Sequence, residues 1–420
     1  MNTAAVKPWF RPPPAVKVQH VAVVGAGIAG AATAFALAAR GIHVTVLEEN
    51  QPATAASGNR QGLLYAKISP HNTAQTELLL AGYRFSRQLL TQTLPLEYWQ
   101  TCGVLHLNHN ERETERNRQL AARFPNHDLY QAVNAEEAGE LAGIELDIGG
   151  LWWHQGAWIH PPSWVNTLLT HPNIRVIAHA RVRTLEIKEN GWDVVYQLTE
   201  NNEACTLHAS HVVVCAGINS NRFQPFTDWT LHPIRGQTTT ANSGELAKKL
   251  RCALSGESYI SPSWQNKVCF GATFLPQNND NHLHLDDETH NWQTLARLHL
   301  ALAHDIQAAS QHTIRPQGHA AVRCDAFDHL PIVGVAGNAA AMRRVYARLA
   351  SDKNYRINDD CPYWNGLYVN TAHGSRGLAT APICGEAIAC AILGLPSPLS
   401  MRLQTALHPN RLIIRGITHH

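Results

Sequence analysis

The sequence predicts an α/β fold in which a mainly parallel sheet is built from discontinuous segments, with an α+β domain containing a mainly antiparallel sheet inserted between them. Three observations carry this. Residues 18–50 read as strand, glycine-rich turn, helix and second strand. Residues 366–394, GLYVNTAHGSRGLATAPICGEAIACAILG, repeat the order strand, glycine-rich turn, helix near the other end of the chain. Between them lie stretches that alternate apolar and polar residues in the manner of strands. Together they describe a Rossmann-like domain whose halves are separated in sequence.

The first stretch opens with Val21, Val23 and Val24, an apolar β-branched run suited to a buried parallel strand. Gly25, Gly27 and Gly30 follow as G-x-G-x-x-G, with Ala26, Ile28 and Ala29 between them. Gly25 permits the tight turn, Gly27 lets backbone approach a pyrophosphate, and Gly30 lets helix and strand pack closely. The following helix offers its N-terminal N–H groups to phosphate. It is alanine-rich to about Arg40, and Gly41 closes it. The second strand, 43–47, ends at Glu48, placed to accept hydrogen bonds from a ribose hydroxyl pair, with Glu49 as the alternative.

Residues 55–72, AASGNRQGLLYAKISPHN, read as a loop passing close to a flat polar ligand. Residues 73–94 read as a helix with Leu79, Leu80, Tyr83 and Leu90 on its apolar face, 102–107 as a strand and 111–123 as a charged helix. The aromatic strand 150–160 precedes a helix opened by Pro161, Pro162 and Ser163. Residues 174–215 alternate as strands and end in a buried one before Ala216-Gly217. Residues 231–240 and 257–274 read as strands of a second sheet, the latter a hairpin about Gln265-Asn266. A helix is expected over 288–308, then strand and turn from Gly318 and a polar insertion to about Pro362. The domain expectation is a proline-rich arm at 1–17, a nucleotide domain from 18–95, 150–228 and 322–400, a substrate domain from 96–149 and 229–321, and a basic tail at 401–420. Two such domains are expected to meet at a cleft, a usual place for a small-molecule site.

With 420 residues and 45% hydrophobic content, a sizeable core is expected. No apolar run is read as reaching the roughly 18 residues of a membrane helix, and the N-terminus carries no secretory h-region. Nine scattered cysteines without a CxxC point to reduced thiols in a cytoplasm. The 25 histidines form no ligand pattern, so no metal is expected. Net charge is only +2, but no Asp or Glu precedes Glu48 or follows Glu386. Arg402, Arg411 and Arg415 lie in the acid-free tail, and Arg343, Arg344, Arg348, Lys353 and Arg356 cluster upstream. These are read either as phosphate-holding faces or as a solvated surface.

GAGIAG with Glu48, the VVVCAG strand, HPIRGQ and the glycine-rich turn before the last long helix resemble the D-amino-acid/glycine oxidase superfamily of FAD enzymes. ASGNRQGLLY, ESYISPS followed by GATF, DHLPIVG, AHGSRGLATAP and LHPNRLIIR closely resemble the oxidoreductase half of the bifunctional enzymes that modify the wobble uridine of tRNA. The resemblance covers residues 18 to about 416. It implies FAD, with its ADP part on the turn formed by Gly25, Ala26, Gly27, Ile28, Ala29 and Gly30, and Glu48 on the ribose. Ser57, Gly58, Asn59, Gln61 and Gly62 would line the flavin, Val182 would touch the adenine side, and Ala216 and Gly217 would close over the cofactor. Gly374, Ser375, Arg376, Gly377 and Leu378 would place backbone N–H groups near the flavin N1–C2=O end, where negative charge collects on reduction.

The substrate implied by the resemblance is tRNA, at its anticodon region, carrying 5-carboxymethylaminomethyl-uridine. Its reacting group is an N-substituted glycine. Hydride transfer to flavin N5 and hydrolysis of the imine would leave 5-aminomethyl-uridine and glyoxylate. Arg323, Arg376 and Tyr259 are expected at the substrate carboxylate, an arginine fork suiting two-point geometry. The rival for Arg376 is a helix cap or an acid partner, and for Arg323 an ion pair with Asp325 or Asp328. Trp152, Trp153 and Trp158 would stack on anticodon bases or pack the interior, and Lys67 would reach a phosphate or the substrate. The arm resembles the linker to a SAM-dependent methyltransferase, so the chain is read as a stand-alone oxidoreductase or as half of a fused protein, its methyltransferase partner fused or separate. Neither DNA nor a membrane is an expected partner. The alternatives are a small-molecule glycine, D-amino-acid or secondary-amine oxidase of the same superfamily, and a non-catalytic flavoprotein scaffold.

Overall fold

The structure, a computed structural model, describes residues 6–123, 128–310 and 317–419. The chain divides into two compact units. The first comprises residues 1–54, 165–232 and 324–420, the second residues 55–164 and 233–323.

The first unit is built on β1 (His20–Val24), α1 (Ile28–Ala38) and β2 (His43–Leu47). Its six-stranded sheet runs in the order Ile332–Gly337, Tyr363–Thr371, His211–Val214, β1, β2, Ile174–Ile177. All neighbours are parallel except the first pair, which is antiparallel. Both faces of this sheet are covered, which is why its strands are continuous apolar runs rather than alternating ones. Ala22 and Val24 of β1 pack with Val212, Val214, Leu367 and Val369 against Trp192, Phe226 and Trp229. Trp192 comes from a three-stranded antiparallel sheet, Ala180–Lys188, Gly191–Leu198 and Ala204–Ala209. The helix Gly377–Leu393 crosses α1 closely: a Cβ on Gly385 would lie 2.8 Å from the Thr33 backbone nitrogen. By length and composition Gly374–Leu393 is apolar enough to cross a membrane, contrary to the reading of the sequence. Its most apolar stretch is 67% buried in the fold, as a core helix's is.

The chain ends differ from the expected arm and tail. Trp9 is buried with Met342, Tyr346, Leu349, Ile413 and Ile417, and its carbonyl accepts from Tyr363 Oη at 3.1 Å and Asn410 Nδ2 at 2.8 Å. The tail forms two helices, Met401–Leu407 and Asn410–Thr418, held by Leu403, Leu407, Ile413 and Ile417. Apolar residues at helical spacing, rather than the arginines between them, decide its structure.

The second unit holds a nine-stranded, mainly antiparallel sheet. Within it Ala253–Ser255 pairs in parallel with Val104–Leu107. Leu105, Leu254, Ile260, Val268 and Phe270 form its core with Leu295, Leu302 and Ile306 from two helices, Leu285–Leu298 and Leu300–Ala309. A single helix was expected there. It breaks at His299, which leaves helical geometry (φ −161°, ψ 101°) and whose Nδ1 accepts the Leu302 N–H at 3.0 Å. The turn at Gln265 and Asn266 uses positive φ at both positions, as the hairpin reading required. Residues 55–95 and 150–164, expected in the nucleotide domain, belong to this unit. Gly62–Leu64 and Trp99–Gln100 both pair with Ala157–Ile159, and Gly150–Trp153 pairs with Val104–Leu107. These ladders draw both segments away from the sheet containing β1.

Candidate functional site

In the first unit the glycine-rich turn has the geometry its residues foretell. Gly25 has φ 102°, and a Cβ there would lie 2.6 Å from the Cys215 carbonyl oxygen. A Cβ on Gly30 would lie 1.9 Å from the Gly25 oxygen, so only glycine allows α1 to start this close to β1. Gly27 is the N-cap of α1, no side chain caps that end, and its first turn holds no acid. Glu48 accepts the Ala26 N–H at 2.8 Å and the Asn50 N–H at 2.9 Å, which fixes its carboxylate beside the turn. Glu49 instead pairs with Arg181 at 2.7 Å. Of the two acids, Glu48 is the one aimed at the turn.

Val182 sits at a bulge in the strand Ala180–Lys188, whose first N–H donates to the Glu48 carbonyl at 2.8 Å. Ala216 and Gly217 follow the end of the strand His211–Val214, and Gly217 takes φ 55° with open space at its Cβ position. Gly374, Ser375 and Arg376 form a 3-10 turn that leads into Gly377–Leu393. That helix also has no side-chain cap and no acid in its first turn. A Cβ on Gly377 would touch the Ile28 side chain at 3.6 Å, so the N-termini of the two helices lie side by side. Each carries a partial positive charge and aligned N–H donors, an arrangement suited to an anion.

Arg376 is half-buried and serves as backbone N-cap without capping through its side chain. Asp325 pairs with His329 and Asp328 with Arg411. Arg411 donates to both Asp328 oxygens, at 2.8 and 3.0 Å, and to three backbone carbonyls. It is a structural clamp, which corrects its reading as a phosphate contact. Arg415 lies 4.0 Å over the Phe327 ring.

In the second unit Arg323 donates from Nη2 to the Thr273 carbonyl at 2.9 Å and faces the Phe274 ring at 5.5 Å. A Cβ on Gly236 would lie 2.0 Å from that Nη2, so the glycine of HPIRGQ makes room for the guanidinium. Burial holds the Arg323 pKa below its ordinary value. Tyr259 donates to the Gln61 carbonyl at 3.0 Å and lies 3.8 Å from Cys269 Sγ. Burial, then Cys269, pushes its pKa well up, while the Arg323 charge pulls the other way. Tyr259 is therefore a neutral phenol within electrostatic reach of Arg323.

The expected flavin-lining loop is ordered by the same sheet. Gly58 donates to the Ala55 carbonyl at 2.9 Å, Asn59 Oδ1 lies 3.5 Å from Thr238 Oγ1, and Gln61 Nε2 donates to the Pro262 carbonyl at 3.0 Å. Gln61 is fully buried, with no partner for Oε1 among the described residues. Such an orphaned acceptor is costly unless a ligand meets it. Ser57 precedes this turn and Gly62 starts the strand Gly62–Leu64. The sequence reading passed over Arg60 although it sits inside GNRQG. Its guanidinium stacks on Trp264 at 4.5 Å, donates to the Trp264 carbonyl at 3.0 Å, and its Nε is buried without a partner among the described residues.

For the tryptophans the packing alternative holds, and Lys67 has a protein partner. Trp153 and Trp158 are buried, Trp153 against Tyr130 with ring centres 4.8 Å apart, and the half-buried Trp152 packs onto Gly103. Packing thus claims all three. Lys67 pairs with Glu113 at 3.6 Å. Among the described residues no group of His, Cys, Asp and Glu could hold a metal, and the nine cysteines are free thiols.

A family model described as FAD dependent oxidoreductase matches residues 20–391. The chain is 40% identical over 417 residues to the tRNA 5-methylaminomethyl-2-thiouridine biosynthesis bifunctional protein MnmC of Chromobacterium violaceum, covering 98% of this chain and 62% of that protein. It is 38% identical over 415 residues to the protein of the same name from Pseudomonas savastanoi pv. phaseolicola, with the same coverage. The chain thus spans 62% of the length of these curated relatives. Among solved structures, glycine oxidase from Bacillus cereus superposes with a TM-score of 0.70 at 20% identity, over 90% of this chain and 95% of that one. The L-proline dehydrogenase of P. horikoshii gives 0.72 at 14% identity, over 96% and 100%. At these identities the structures establish the fold.

Proposed function

The chain belongs to the FAD-dependent oxidoreductase family, and FAD is its cofactor; from that premise we propose that it removes the carboxymethyl group of 5-carboxymethylaminomethyl-(2-thio)uridine at the tRNA wobble position. The observation that carries this reading is the identity of 36–40% across essentially the whole chain to proteins named for tRNA 5-methylaminomethyl-2-thiouridine biosynthesis. The residues present fit the cofactor. An uncapped helix start, glycines that only a hydrogen can satisfy, and an acid at the end of β2 match the needs of a dinucleotide.

When bound, FAD accepts two electrons. The chain supplies orientation and charge. The turn of residues 25–30 at the start of α1, where the Gly25 N–H is held by the Leu47 carbonyl and the Ala26 N–H by Glu48, would hold the ADP part together with the Glu48 carboxylate, with Val182, Ala216 and Gly217 beside it. Ser57, Gly58, Asn59, Gln61 and Gly62 line the ring, with the bare Gln61 Oε1 as an acceptor for a ring N–H. The turn of Gly374, Ser375, Arg376, Gly377 and Leu378, in which the Arg376 N–H is taken by the His373 carbonyl at 3.1 Å, would favour charge that develops on reduction through its other N–H groups. Arg323, Arg376 and the neutral Tyr259 hold the substrate carboxylate, which orients the N–CH2 bond for loss of a hydride and a proton. The product imine takes up water and splits into 5-aminomethyl-(2-thio)uridine, still on tRNA, and glyoxylate. A SAM-dependent methyltransferase, fused or separate, would then act on the free amine. Nine free thiols support work in the cytoplasm.

Anaerobic incubation of the holoprotein with tRNA bearing the modification, followed by nucleoside analysis, tests this. Conversion to the aminomethyl nucleoside with one glyoxylate per FAD reduced is expected. An unchanged wobble nucleoside beside turnover of glycine or sarcosine would replace the proposal with a small-molecule amine oxidase.

A further inference from the structure

One buried chain of hydrogen bonds in the first unit is unused by the roles above. Thr380 Oγ1 lies 2.9 Å from His373 Nδ1. His373 Nε2 lies 2.9 Å from Asn370 Oδ1. Asn370 Nδ2 donates to Thr33 Oγ1 at 3.1 Å, and Thr33 donates to the Ala29 carbonyl at 2.7 Å. Asn370 and Thr33 are fully buried and Thr380 nearly so.

The directions of these bonds follow from donor and acceptor counts. Thr33 has one proton and spends it on Ala29, so it accepts from Asn370, which fixes the amide with its oxygen toward His373. A carbonyl oxygen only accepts, so His373 carries its proton on Nε2. Desolvation holds this imidazole down to about 3, so Nδ1 is bare, and the single Thr380 hydroxyl proton is shared between it and the Arg376 carbonyl at 3.1 Å. One tautomer accommodates every contact, with the Thr380 proton shared between two acceptors. The chain therefore links the first turn of Gly377–Leu393, through the strand end at Asn370, to the first turns of α1.

We propose that His373 is a positioning residue: it locks the two adjacent helix N-termini together and so fixes the aim of the backbone N–H groups of residues 374–378 at the reduced cofactor. This rests on the placement of that turn against the flavin made under Proposed function. Preorganised donors stabilise developing charge because they need no reorganisation when it appears. A looser turn would still bind oxidised FAD, which carries no such charge, but would favour the reduced form less. Ala372 and Gly374, on either side of His373, both take positive φ (62° and 55°), so the turn departs from extended backbone and depends on its side-chain anchor.

The test uses the holoprotein. In His373→Phe the two-electron potential of bound FAD should fall, corresponding to about a tenfold weaker preference for reduced over oxidised FAD, or about 30 mV. Affinity for oxidised FAD should stay within threefold. Thr380→Val, which keeps the shape and removes the hydroxyl's contacts with His373 and the Arg376 carbonyl, should shift the potential the same way by less, and decides the matter if His373→Phe does not fold. Amide exchange in the parental protein separates the two layers of argument. If FAD protects residues 374–378 and neither variant moves the potential, the positioning role is wrong. If FAD leaves those amides unprotected, the placement of the turn is wrong and the inference falls with it.

Discussion

At Arg323 the guanidinium lies where Gly236 offers only a hydrogen, and its Nη2 is held by one backbone carbonyl. A planar guanidinium can meet a carboxylate in two-point geometry, which a lysine cannot do. Arg323→Lys should leave the protein yellow and slow substrate-driven bleaching of FAD by roughly 10- to 100-fold, the equivalent of about 1.5–3 kcal/mol for a hydrogen bond to a charged group. Arg376→Ala should act in the same direction. Stopped-flow absorbance under anaerobic conditions reads both, and bleaching at the parental rate would remove the residue concerned from the carboxylate site. Arg411 makes the opposite case. Its five donor contacts are internal, so Arg411→Ala should lower the melting temperature and leave the salt dependence of tRNA binding unchanged. A smaller salt slope in that variant would return Arg411 to the phosphate-binding group.

The unit of β1, α1 and β2 shows where sequence determines structure locally. Gly25 is required by the neighbouring strand end at Cys215 and Gly30 by the turn itself, so their type and spacing are readable. Gly30→Ala places a Cβ 1.9 Å from the Gly25 oxygen and must push α1 off the sheet. FAD affinity should fall at least tenfold with the second unit still folded, as followed by flavin fluorescence and circular dichroism; unaltered affinity would mean the helix start does not hold the pyrophosphate. Elsewhere the controlling contacts are distant in sequence. Tyr259 meets Gln61 across 198 residues, and residues 62–64 join the second unit only because 157–159 offer them a partner. No local pattern carries that pairing, which is why 55–95 read as part of the nucleotide domain. His299 was legible as a polar residue but not as a helix break, since its capping role exists only once Leu302 follows in helical geometry. Arg60 had a signal, lying inside GNRQG, yet its stack on Trp264 requires the hairpin to fold first. In the tail, the charges drew attention that belonged to Ile413 and Ile417.

Across the whole molecule, one class of side chain sets the response to acid. Burial lowers His106, His160 and His211 to about 4, and His373 and His408 to about 3. Arg60 adds to the effect at His160 and Arg411 at His408. In the unfolded chain each imidazole titrates near 6.5. Between that value and the folded one, the unfolded state binds more protons, so stability is fully present above about pH 6.5 and is lost as pH falls toward 4. Glu113, held down to about 2 chiefly by its hydrogen bond from His106, acts in the same sense but only below its unfolded value near 4.5. A single imidazole kept neutral in this way contributes about 2 kcal/mol to the difference between neutral pH and pH 5. Both units carry such residues, so neither should escape. At fixed ionic strength and saturating FAD, the urea midpoint should therefore drop clearly between pH 7.5 and pH 5.0, before carboxylates titrate. A midpoint that stays level over that interval would mean these imidazoles gain protons without leaving the fold, and the neutral tautomer assigned to His373 would be the first casualty.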